Sequence, residues 1–246
     1  MSLDLADYRT LAESAVKRFW ESRDSARKRQ AEVGRADQGE RSGVTAGKNL
    51  DGFHDLVEAV VRANGLPGAV IHRERALVTL PGYFRATKLW DVLVTHEGRL
   101  VAAIEFKSHV GPSFSNNLNN RAEEAIGTAA DLWVAHRDSA YGATERPFVG
   151  WLMVLEDCEA SRAAIAIRSP HFPVFPDFES TSCADRYRIL CEKLMKERYY
   201  TGAALILTRR QDARGGNYSE MTPSTGLRAF VASLAGHVAS EAARTA

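Results

Sequence analysis

Asp91, Glu105 and Lys107 have the types and the spacing to assemble a cation-binding catalytic site. Asp91 stands in Lys88-Leu89-Trp90-Asp91-Val92-Leu93-Val94, and the other two close the run Val101-Ala102-Ala103-Ile104-Glu105-Phe106-Lys107. Their neighbours are almost all apolar, so each charge needs a partner to be tolerated there. Carboxylates are hard oxygen donors suited to Mg²⁺, which takes one or two of them and keeps several waters. Asp91 and Glu105, with the backbone carbonyl of Phe106 as a third donor, would hold such an ion. An ion so held polarises a phosphoryl oxygen and acidifies a bound water. Lys107 would orient that water and stabilise charge developing on a phosphorane-like transition state. On the residues alone, a structural salt bridge of the two acids to Lys107 fits equally well.

The chemistry depends on a hairpin. His96-Glu97-Gly98-Arg99 reads as a tight turn between two strands. A loop of two or three residues there sets Asp91 opposite Ile104 or Glu105. Alternation puts Glu105 and Lys107 on one face and Ile104 and Phe106 on the other, so the three groups are expected at one sheet edge. Around the hairpin, apolar periodicity predicts helices over 5–30, 53–63, 116–136, 186–198 and 227–237, with Asn64-Gly65 closing the second. Strands are predicted over 69–80, 148–155 and 203–208. The fold class is therefore α/β, a sandwich of helices around a mixed sheet. We read 1–246 as a single domain, with an N-terminal helix and polar arm over 1–50 and a core over 51–246. Gly43 to Lys48 is not a phosphate loop: it has one residue too few between its glycines, Asn49 replaces the hydroxyl, and no strand precedes it. Lys48 is left as a backbone contact to nucleic acid.

Composition narrows the class without naming a partner. The 246 residues are 45% hydrophobic, enough for one sizeable core. With 32 basic and 31 acidic residues the net charge is only +1, so any nucleic-acid surface must be local. The three cysteines, Cys158, Cys183 and Cys191, have no C-x-x-C spacing and suit a reduced, cytoplasmic protein. No signal peptide or run of transmembrane length is expected.

Asp91…Glu105-Phe106-Lys107 resembles the PD-(D/E)XK nuclease signature, with Trp90 where the name has Pro. Lys88 to Asp91, Glu105 to Ser108, Ser115 to Arg121 and Gly150-Trp151 further resemble the XhoI-type type II restriction endonucleases, along essentially the whole chain. The resemblance favours the metal site over the salt bridge. It implies a restriction-endonuclease-like core, a central mixed β-sheet flanked by α-helices. It also implies Mg²⁺-dependent cleavage of double-stranded DNA at the palindrome CTCGAG, with Mn²⁺ as a substitute ion, leaving 5′-phosphates and a 5′ overhang. A symmetric site calls for a homodimer. A companion DNA methyltransferase is expected genetically, not as a bound partner. The rival readings are a repair or junction nuclease on the same fold, and a non-catalytic sequence-specific DNA-binding protein.

Outside the trio, related nucleases recruit a helix Glu as a further metal ligand, which points to Glu58, one turn from His54; a solvated helix face fits it as well. Asn116, Asn117, Asn119, Asn120 and Arg121 open a helix after the catalytic strand, where phosphate or base-edge contacts compete with simple capping. Glu123 and Glu124 read as solvated first-turn acids, either of which could assist the metal. Arg209, Arg210, Gln211 and Arg214 follow a buried strand; Arg reads guanine and Gln reads adenine, and a solvated loop is the alternative. Arg23, Arg27, Lys28 and Arg29 read as phosphate contacts or solvated charge, and His109 as structural.

Overall fold

The computed structural model describes residues 3–32, 49–142 and 145–245, leaving aside the side chains of residues 30–32, 115 and 116. Lys48 and the side chain of Asn116 lie outside what is described. The helices are α1 (Tyr8–Glu32), α2 (Gly52–Ala63), α3 (Phe114–Arg137), the short α4 (Glu159–Arg162), α5 (Cys183–Lys196) and α6 (Leu227–Thr245). The strands are β1 (Val70–His72), β2 (Thr79–Pro81), β3 (Thr87–Leu89), β4 (Val92–His96), β5 (Arg99–His109), β6 (Phe148–Glu156), β7 (Gly202–Thr208) and β8 (Ser219–Glu220). Six strands form one sheet in the order β1-β4-β5-β6-β7-β8, and β2 and β3 pair as a separate ribbon.

The sheet is mixed, as expected of a restriction-endonuclease-like core. β1, β4 and β5 run antiparallel, β5, β6 and β7 run parallel, and β8 returns antiparallel at the far edge. The parallel steps need crossovers, supplied by α3 and by the segment ending in α5. Both steps move in the same direction along the sheet, so right-handed crossovers put both helices on one face. There Phe114, Leu118, Leu132, Trp151, Met153, Tyr187 and Leu205 form one apolar layer. α1, α2 and α6 cover the other face, where Phe19, Trp20, Phe53, Ile104, Phe106, Leu152 and Phe230 form the second. β6 and β7, buried on both faces, accordingly read as unbroken apolar runs.

Two sequence expectations change. The strand expected over 69–80 is two strands in different sheets, because the charged run after His72 turns the chain, with the Leu77 amide donating to the Glu74 carbonyl at 2.7 Å. The trio does not sit at a lateral sheet edge either: β4 and β5 are interior strands, and the site opens where their pairing stops.

The hairpin itself closes as expected. His96 pairs with Arg99 across a two-residue loop, and Glu97 and Gly98 both take positive φ, 49° and 77°. A bulge then decides the register. Thr95 pairs with Leu100 but Val94 with Ala102, so Val101 is an extra residue on β5. Val101 and Ala102 consequently lie in the same apolar layer, and beyond them the alternation is shifted by one. Val92 pairs with Ile104, which carries Asp91 to a place opposite Glu105. Without the bulge Asp91 would stand opposite Ile104, on the other face of the sheet.

Candidate active site

Asp91 ends the β4–β5 ladder. Its amide donates to the Ile104 carbonyl at 3.2 Å, and its side chain takes over where the backbone departs, with Oδ2 accepting from the Phe106 amide at 2.8 Å. A strand residue turns its N–H and C=O to the same lateral side. The Phe106 carbonyl therefore opens into the same gap as Asp91, while β5 stays paired to β6 behind it. Glu105 and Lys107 project from β5 on the α3–α5 face.

Glu105 is almost fully buried, at 1% exposure. Its Oε1 accepts from Lys107 Nζ at 3.3 Å and from Lys88 Nζ at 2.5 Å. Its Oε2 has no well-formed hydrogen bond; the Tyr200 hydroxyl, which donates to the Ala125 carbonyl at 3.0 Å, lies beside the carboxylate and interacts with it. Among the described residues the other buried polar atom without a partner is Trp151 Nε1, and Trp151 is paired with Glu105 across β5 and β6. Burial works to raise the Glu105 pKa, but Lys107 and Lys88 outweigh it and hold the carboxyl below the ordinary range. Burial raises the Asp91 pKa against the pull of Lys107 and of the Phe106 amide. Burial works to lower the Lys107 pKa, yet Glu105 and Asp91 together push it up. Lys107 is thus a held cation.

These donors fit a hard divalent ion. One buried carboxylate oxygen is bare, the Asp91 oxygen not bound to Phe106 makes no hydrogen bond among the described residues, and a backbone carbonyl faces the same gap. It is an open set, since among the described residues no three His, Cys, Asp or Glu side chains gather as a closed cage. Open oxygen sets suit Mg²⁺, which retains waters and takes substrate oxygens.

Glu58 is held elsewhere, by Arg62 at 2.7 Å and by Arg73, while its helix neighbour His54 lies against the Phe106 ring and near the Asp91 backbone. At the start of α3, Asn117, Asn119 and Asn120 are exposed. Asn117 donates to the Ser113 carbonyl at 3.3 Å, one turn back, so the capping weighed as the alternative to DNA contact is not what it does. Arg121 pairs with Glu124 at 2.7 Å, and both lie close enough to act on Lys107 electrostatically. The amino-terminal turns of α3 therefore flank the trio. Arg209 pairs with Asp157 at 3.2 Å, and Arg210 pairs with Asp24 at 2.6 Å and stacks over the Trp20 ring. Gln211 and Arg214 of the same 3₁₀ turn are exposed. His109 is clamped between the Tyr187 hydroxyl at 2.8 Å and the Ser113 carbonyl at 2.9 Å, and burial lowers its pKa. Lys88 is the site residue that sequence reasoning passed over. It belongs to a different sheet from its partner, and no periodicity links them.

The family model described as "Restriction endonuclease XhoI" matches residues 29–220. The chain belongs to the XhoI restriction endonuclease family. It is 56% identical over 196 residues to the type II restriction enzyme XhoI of Xanthomonas vasicola, covering 79% of this chain and 78% of that one. It is 59% identical over 172 residues to the type II restriction enzyme AbrI of Azospirillum brasilense, covering 70% and 77%. It is 44% identical over 212 residues to the type II restriction enzyme BstVI of Geobacillus stearothermophilus, covering 84% and 94%. No solved structure matches it. Among the described residues, no helix is long and apolar enough to cross a membrane.

Proposed function

We propose that this protein is a cytoplasmic, homodimeric, Mg²⁺-dependent type II restriction endonuclease, one domain per protomer, that cuts double-stranded DNA at CTCGAG. The observation that carries the reading is the pair of facing carboxylates, Asp91 and Glu105, with Lys107 Nζ 3.3 Å from Glu105 Oε1. Asp91, Glu105 and the Phe106 carbonyl would hold the Mg²⁺, with Mn²⁺ able to replace it. Bound there, the ion supplies Lewis acidity to the scissile phosphate and to the attacking water. Lys107 serves as a positioned cation beside the two carboxylates. It orients the water and stabilises the extra negative charge as the water oxygen attacks phosphorus. The P–O3′ bond then breaks, leaving a 3′-hydroxyl and a 5′-phosphate, staggered as a 5′ overhang. Asn116, Asn117, Asn119, Asn120 and Arg121 on α3, with Gln211 and Arg214, are the proposed DNA contacts, joined by Lys48. Arg209 and Arg210 would have to exchange their acidic partners for DNA to take part. Glu58 would need the same release from Arg62 and Arg73 to reach a metal. Two protomers match the two strands of the palindrome. A genetically linked methyltransferase would protect the host sequence.

The test is Asp91→Ala and Glu105→Ala protein, confirmed folded by circular dichroism. Both should bind a CTCGAG duplex in Ca²⁺ and fail to cut it in Mg²⁺. Undiminished cutting would refute the site. Plasmid digestion by the unaltered protein should give discrete fragments ending at CTCGAG, and fragments ending elsewhere would correct the recognition sequence.

A further inference from the structure

Lys88 is a second ammonium on the carboxylate that already has Lys107. It comes from β3, outside the six-stranded sheet, and its Nζ lies 2.5 Å from Glu105 Oε1. The same Nζ donates to the Leu89 carbonyl at 2.5 Å and lies 5.4 Å from the centre of the Trp90 ring. Trp90, the residue in the place of the signature proline, thus serves as a platform beside which the ammonium rests. Both lysines crowd one oxygen while the other stays bare. Two carboxylates and two ammoniums make a neutral cluster.

A divalent ion entering this cluster would add two positive charges where the dielectric is low, beside two cations already present. One ammonium has to leave the carboxylate. Lys107 is set in a long strand laddered to β6, where it pairs with Met153. Lys88 reaches the carboxylate from a separate two-stranded ribbon through its four-carbon stem, whereas Lys107 stands two residues from Glu105 on the same face of one strand. Lys88 is the one free to move.

We propose that Lys88 is a displaceable counter-ion of the metal site. In the DNA-free protein it neutralises Glu105 and opposes a divalent cation; when the cation arrives with DNA, the ammonium transfers to a DNA phosphate. Cation and DNA then each favour the other's binding, as linkage requires. This rests on the nuclease reading of the trio, and Lys88 acts on the site through Glu105, as a positioning residue.

Calorimetric titration of the DNA-free protein with Mn²⁺ tests it. Lys88→Met should bind Mn²⁺ about tenfold tighter than the unaltered protein, the size of effect expected from one nearby charge. Lys88→Gln, which keeps a donor for Glu105, should do the same and stands in should methionine disturb the ribbon. Lys88→Arg keeps the charge and should bind Mn²⁺ as the unaltered protein does. In Ca²⁺, the salt dependence of CTCGAG-duplex binding by Lys88→Met should lose one phosphate contact, a slope smaller by about 0.9. Unchanged or weaker Mn²⁺ binding by Lys88→Met and Lys88→Gln, with Asp91→Ala abolishing it, would overturn the proposal and leave the metal site standing. Tighter binding by Lys88→Arg, or an unchanged salt slope, would also overturn it. No Mn²⁺ binding by any of these proteins would remove the metal site itself.

Discussion

Asp131, on α3, and Glu105, beneath that helix, are both buried carboxylates, and their surroundings treat them in opposite ways. Asp131 Oδ1 accepts from the amides of Tyr83 and Phe84, each at 2.8 Å, and Oδ2 accepts from Arg85 Nε at 2.8 Å. Two of the donors are backbone amides fixed in a turn, both oxygens are used, and the three bonds outweigh burial to hold the pKa below the ordinary range. Glu105 meets two side-chain ammoniums on one oxygen, and its other oxygen has no well-formed hydrogen bond. A carboxylate bound by rigid backbone donors holds a fold together. One bound by side-chain ammoniums, with an oxygen left without a well-formed hydrogen bond, is ready to exchange one of them.

The contrast breaks down most visibly if cutting does not separate the two residues. Glu105→Gln should lower single-turnover cleavage of a CTCGAG duplex by roughly a thousandfold, since several kcal/mol of metal-assisted stabilisation disappear. Its melting temperature should move less than that of Asp131→Ala, because Lys88 can swing to water and an amide oxygen at position 105 still accepts from Lys107. Asp131→Ala strands two amides and a guanidinium and should cost about 3 kcal/mol. For a chain of this size that is a fall of about 6–12 °C in calorimetry, with the cleavage rate of the remaining folded protein little changed.

A smaller effect sharpens the same distinction. A Cβ on Gly82 would come within 2.5 Å of Asp131 Oδ2 and 2.7 Å of the Arg85 carbonyl. Gly82→Ala should therefore destabilise by about 1–3 kcal/mol in chemical denaturation. The smallest effect is in pH. A depressed folded-state pKa gives Asp131 stability that is present above its unfolded value and lost as pH falls through the folded one. The stability gap between the unaltered protein and Asp131→Asn should be constant above about pH 5 and shrink below about pH 4. A gap that widens on acidification would mean that Asp131 is not the depressed group.

The hairpin, the helices and the trio were legible because each rests on a local pattern: Glu97-Gly98 accepts two left-handed residues, and the strands alternate around it. The facing of Asp91 and Glu105 was legible only to within one residue. Whether Val101 bulges depends on which apolar layer accepts two consecutive small side chains, and that is tertiary packing. The run 69–80 failed for a related reason. Its apolar ends read as one strand, while the partners that separate them, on β4 and β3, lie 8 to 25 residues further on. Lys88 was hidden because Glu105 is 17 residues away and on another sheet. Arg209 and Arg210 looked like free readers of bases because nothing local betrays Asp157 or, 186 residues away, Asp24.

The grip of Asp131 on the turn at Tyr83–Arg85 also has a mechanical side. That turn joins β2 to β3, and Tyr141, just past α3, ties down the same ribbon by donating to the Pro81 carbonyl at 2.8 Å. The strand bearing Lys88 is thus bolted to the later turns of the helix whose opening turns carry Asn117 to Arg121, and to the segment just past its end. The ribbon cannot drift from that helix without shearing several bonds at once, so the loose part of the assembly is the lysine's own four-carbon stem.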